Sequence, residues 1–169
     1  MPGSWRHLGS RFFGSLGSRD LDPSEVEQLA GLLSEAELSL FMRQAPIDRR
    51  HGLRAARFAL DAGASEPVAR AAALHDVAKR HARLGIPGRV LASVCIKLGL
   101  PLRGRFRTYR DHGPIGAAEL AAVGAPAIVV TYARFHHEAR PADIDLDTWS
   151  LLDAADAATE RSQSVRADR

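Results

Sequence analysis

Arg70–His81 reads RAAALHDVAKRH. Its alanines and leucine are strong helix formers, and the run is apolar enough to be buried. Yet His75 and Asp76 stand side by side within it, and Lys79 follows one turn later. An unpaired buried carboxylate is expensive, so Asp76 must face a partner. Val68, Ala71, Ala72, Lys79 and Ala82 share the helical face of His75.

The sequence around this stretch predicts further helices. Ser65 caps the one that contains it, Pro67 enters it and Gly85 stops it. Upstream, Asp22 caps a helix with Pro23 at its start, and Ser34 and Glu37 have capping-box spacing for the next, which Pro46 ends. The stretch IDRRHGLRAARFALDAG forms a helix closed by Gly63. Downstream, PGRVLASVCIKLG is a short apolar helix and LPLRGRFRTYRDHG an irregular basic loop. Further helices lie between Pro114 and Gly124, from Pro126 to a stop at Pro141, and over DIDLDTWSLLDAADAATERS.

Strand formers are scarce, and the connections suit a compact all-α bundle. We expect one helical domain over residues 22–161, a flexible or weakly amphipathic arm over 1–21 and a polar tail over 162–169. At 169 residues the chain can bury a real core. Its net charge of +3 and pI of about 9.6 are too mild for a dedicated nucleic-acid binder, but fit a site that receives an anion. One cysteine, Cys95, allows no disulfide framework and points to a reducing, cytoplasmic location. The longest apolar runs are too short to span a membrane. The N-terminal arm lacks the apolar stretch of a secretory signal; a transient membrane contact through Trp5, Phe12 and Phe13 is the lesser reading.

Other polar residues repeat the pattern of His75. His51 shares a face with Ala55, Phe58, Ala59 and Ala62. Asp156 has Leu152 and Trp149 behind it, with Asp153 as a competing candidate. His112 precedes a Gly-Pro helix start, and His136 and His137 sit in the last turn before Pro141. Singly, each is more simply a structural histidine, a favourable charge at a helix end or a cap. Together they place a His or Asp on four helices and one helix entrance, mostly facing the core. A bundle needs no such set for stability; it needs one to hold divalent metals between helices. Imidazole and carboxylate suit iron, manganese, zinc or magnesium rather than a soft thiolate metal.

The order His51, then HD at 75–76, then Asp156 resembles the HD superfamily of metal-dependent phosphohydrolases. The resemblance covers roughly residues 40–160. DRRHGLRAA is similar to the family's first-histidine helix and AALHDVAK to its signature. DHGPIGAAEL, ARFHHEARP and LLDAADAA resemble its later segments, closest in pattern to the symmetrical dinucleoside-tetraphosphate hydrolase-like members. The resemblance implies an HD-domain helical bundle that cleaves a phosphate ester or anhydride of a nucleotide-like substrate with a metal-activated water. It implies two ions held by His51, His75, Asp76, His112, His136 and Asp156, with Asp76 as the bridge. His137 remains a further candidate ligand. We expect Asp76 and Lys79 to carry the catalysis, and Lys79, Arg107 and Arg110 to bind the phosphorylated substrate. The alternative is a non-catalytic HD module that binds a nucleotide or partner protein. The basic stretch from Lys97 to Arg110 reads as a lid or phosphate clamp, or as a solvated loop. The GYP signature of cyclic-di-GMP-cleaving members is absent, and the ED pair of alarmone hydrolases is not recognisable.

Overall fold

The computed structural model describes residues 19–158. The expected N-terminal arm, apart from its last residues, and the polar tail lie outside this range. The described residues are helical and contain no strand, as an all-α bundle requires.

α1 (Pro23–Leu32) and α2 (Glu35–Met42) both open with complete capping boxes, Asp22 with Glu25 and Ser34 with Glu37. α2 ends before Pro46, which starts α3 (Pro46–Asp61) instead. Gly63, just past the end of α3, takes a left-handed φ of +81°. α4 (Glu66–Leu74) begins after Ser65, although that side chain makes no capping bond.

α4 then stops earlier than its sequence suggests. Residues 75–78 form turns, a single helical turn α5 (Lys79–Ala82) follows, and Arg83 closes it with a left-handed φ of +48°. Helix propensity favours continuing through His75 and Asp76, and tertiary packing overrides it. α6 (Ile86–Lys97) is the expected short apolar helix. The stretch expected to be an irregular loop contains α7 (Gly104–Arg110). α8 (His112–Ala122) starts at the histidine itself. α9 (Ala127–Phe135) ends before His136, so the paired histidines follow the helix rather than fill its last turn. α10 (Leu146–Ala157) is capped by Asp145.

α4 is the centre of the bundle. It packs against α3, α9 and α10, and α8 packs on α9. Leu53, Ala55 and Ala59 of α3 meet Ala69, Ala72, Ala73 and Leu74 of α4, and Val129, Tyr132, Trp149 and Leu152 complete the core from the other side. At the flank, α7 packs against both α5 and α6. No helix among the described residues is long and apolar enough to cross a membrane.

Candidate metal centre

The small residues of the core set the distances at the centre. A Cβ on Gly52 would stand 2.5 Å from the Ala73 carbonyl oxygen and 2.7 Å from the Phe41 ring. The bare glycine lets α3 lie against α4, so that His51 meets His75. Likewise a Cβ on Gly113 would stand 2.9 Å from the Arg134 carbonyl oxygen and 3.0 Å from that of Ala133. That approach brings His112 against His136. Both histidines are followed directly by the glycine that admits them.

Three histidines are aimed in the same way. His75 and His136 follow the last residues of α4 and α9, and His112 follows α7 by one residue. Each turns its Nδ1 onto the carbonyl three residues back: His75 onto Ala72 at 2.8 Å, His112 onto Tyr109 at 2.6 Å and His136 onto Ala133 at 2.9 Å. A carbonyl can only accept, so each Nδ1 carries hydrogen and donates it. This second bond fixes the ring and leaves Nε2 facing the centre. The helix breaks after Leu74 and Phe135 therefore serve the aiming of the rings.

The Nε2 atoms converge in two groups. His51 and His75 approach to 3.3 Å, and His112 and His136 to 3.2 Å. Asp156 closes the first group, with Oδ1 3.0 Å from His51 and 3.2 Å from His75. Asp76 divides its two oxygens between the groups. Oδ2 lies 3.4 Å from His75 and 3.8 Å from His51, while Oδ1 lies 3.1 Å from His112 and 3.5 Å from His136. His51, His75, Asp76 and Asp156 offer donor atoms all within 4.8 Å of one another, and so do Asp76, His112, His136 and His137. Either group could hold a metal ion.

Every residue expected to ligate thus joins one of these groups. His137, which the sequence leaves open, joins the second group; its ring stands 4.0 Å from that of His136 and 5.1 Å from that of His112, centroid to centroid. Asp153, the rival of Asp156, is exposed and joins neither. Lys79 is buried, ion-paired to Asp76 Oδ2, with its Nζ 6.0 Å from the centre of the Tyr109 ring. Sequence reading had not singled out Tyr109. Arg107 and Arg110 are exposed and both turn onto Asp111.

The electrostatics follow from burial and crowding. Burial opposes charge on His75, yet the Asp76 carboxylate and bonds to Asp156 and Asp76 outweigh it and raise its pKa to about 10. Burial also opposes ionisation of Asp76, but His75 and Lys79 hold it well below the usual carboxylate range. Desolvation lowers His51, and lowers His136 to about 4, with cationic neighbours adding to the effect. His137 is pushed down in the same direction. Metal-free, the centre therefore holds a proton on His75 and keeps the other shifted imidazoles neutral at neutral pH.

The donor set fits a divalent cation. Nitrogens that face each other at such distances need a cation or a proton between them. The set is dominated by imidazole, with one carboxylate shared. No family model matches this chain, and neither does any curated protein or solved structure.

Proposed function

We propose that this chain is a phosphohydrolase of the HD type, dependent on two divalent metal ions, that acts on a nucleotide-like phosphate ester or anhydride. The observation that carries the reading is Asp76, a buried carboxylate with one oxygen toward each histidine group. His51, His75, Asp76 and Asp156 would hold one ion, and Asp76, His112, His136 and His137 the other. A set so rich in imidazole suits iron, manganese or zinc better than magnesium, which prefers oxygen ligands. Bound ions supply Lewis-acid polarisation of a phosphoryl oxygen and acidify a water for attack on phosphorus.

The chain's own groups do the rest. Asp76 and Asp156 bring negative charge that balances the cations. The carbonyls of Ala72, Tyr109 and Ala133 hold the imidazoles in one orientation, so little reorganisation accompanies the reaction. Lys79 is a point charge beside Asp76, suited to a phosphoryl oxygen and to the charge that grows on it in the transition state. Arg107 and Arg110, paired with Asp111 at the surface, attract an incoming anion at longer range.

The test is a phosphate-release screen of nucleotides, dinucleoside polyphosphates and simple phosphate esters, with the protein loaded in turn with manganese, iron and zinc. Release that chelation abolishes and metal restores supports the reading. Metal binding without turnover of any ester, together with a nucleotide-dependent rise in melting temperature, favours a regulatory nucleotide-binding module instead.

A further inference from the structure

α6 carries its apolar side chains outward. Leu91, Val94, Cys95 and Leu98 follow the i, i+3, i+4, i+7 spacing of one helical stripe, and none is buried. Ala92 is the buried residue of this helix. Leu91 is 53% exposed, Leu98 60% and Leu100, just beyond the helix, 49%. An outward stripe on a helix at the edge of a bundle is a contact surface rather than a core.

The charge around it is one-sided. From Val77 to Arg110 the chain has nine Lys or Arg residues and no Asp or Glu, although Lys79, Arg80, Arg89, Arg107 and Arg110 are ion-paired with Asp76, Glu119, Asp48 and Asp111, and the whole chain is only +3. The rest of the chain is therefore net −6. Arg83, Lys97, Arg103 and Arg105 are exposed in this segment. Arg89 is used structurally: its guanidinium grips Asp48 of α3 at 2.5 and 2.8 Å and ties α6 to the body of the bundle.

Apolar side chains set in a cationic field complement a surface that is anionic outside and apolar beneath, which is a bilayer with acidic headgroups. A second copy fits less well. A two-fold contact would place this patch against itself and bring Lys97 and Arg103 of both copies together. Residues 1–18 hold Arg6 and Arg11 and no acid, so as a cover they too would add like charge. A single-stranded nucleic acid needs stacking aromatics where the stripe offers leucine and valine. We propose that α6 and the segment through Arg103 dock on anionic membranes, with Leu91, Leu98 and Leu100 entering the apolar layer.

Flotation of the full-length chain with vesicles tests this. Phosphatidylcholine vesicles with about 30% phosphatidylserine should carry the protein, and pure phosphatidylcholine vesicles should not. Added salt should weaken the binding. Leu91→Ser with Leu98→Ser should lower partitioning about tenfold or more. Lys97→Glu with Arg103→Glu should lower it comparably. All four positions are exposed, and an unchanged melting temperature confirms that the fold persists. Wild-type protein that stays in solution overturns the proposal. So does binding that neither double variant weakens. A dimer dissociated by Leu91→Ser with Leu98→Ser, with no flotation of the wild type, assigns the stripe to a second copy and also overturns it.

Discussion

Asp76 Oδ1 lies 3.1 Å from His112 Nε2, although 36 residues of chain separate them. Its other oxygen faces His75, the residue before it. One buried carboxylate thereby joins histidines from the centre of the bundle to histidines at the start of α8 and just past the end of α9. The reading of this protein as a two-ion centre rests on that link.

Replacing Asp76 should therefore affect both ions. Asp76→Asn is expected to abolish binding of the pair, whereas His112→Ala should lose the second ion and keep the first. Metal content per chain, measured by elemental analysis after dialysis, distinguishes the two outcomes. The metal-free Asp76→Asn protein should also be less stable by about 3–5 kcal/mol, because His75 and Lys79 lose their buried counter-charge. Equal metal content in Asp76→Asn and wild type would contradict the link.

A methyl group at Gly52 should damage the first histidine group without touching a ligand. Its Cβ would meet the Ala73 carbonyl at 2.5 Å, so α3 must move off α4. Gly52→Ala should cost about 1–3 kcal/mol in denaturant unfolding and weaken metal binding at His51 and His75. Stability and affinity both at wild-type values would show that the close approach is not required.

The pH dependence has a defined sign. The pKa of folded His75, about 10, lies above its unfolded value near 6.5. Its protonation thus stabilises the metal-free protein fully below about 6.5, and that contribution is lost as pH rises through about 10. A ligating imidazole must be neutral, so metal has to displace this proton. Metal affinity should rise with pH over the same window, with about one proton released per chain near neutrality. Titration calorimetry in buffers of different ionisation enthalpy reads that number. Uptake of metal without proton release would contradict the assigned state of His75.

Much of this centre is legible in the sequence, though not its geometry. Polar residues on apolar faces single out His51, His75, Asp76 and Asp156, because a His or Asp there needs a partner. The cap residues Asp22 and Ser34 are equally readable, because capping is local chemistry. The break after Leu74 is not readable. An alanine-rich run favours helix throughout, and only the distant histidines give a reason to stop it. His137 stays ambiguous for the same reason, since its place in the second group depends on where α9 ends. α7 is missed because arginines and a glycine mask its weak apolar pattern. The glycines after His51 and His112 were a usable signal for close helix approach.

Lys79 separates chemistry from metal binding. It is buried against Asp76 and beside Tyr109, where a lysine serving only solubility would not sit. Lys79→Met should retain both ions and lower kcat for phosphate release about 100-fold. Lys79→Arg should not restore the rate, since a planar guanidinium does not replace a compact ammonium in a buried site. Unchanged kcat in Lys79→Met would remove the lysine from the mechanism.

Anomalous diffraction from crystals soaked with manganese tests the central claim most directly. The expected result is two peaks, one among His51, His75, Asp76 and Asp156 and the other among Asp76, His112, His136 and His137, with Asp76 in contact with both. No peak at Asp76, or a single peak that leaves one histidine group without an ion, would contradict a shared two-ion centre.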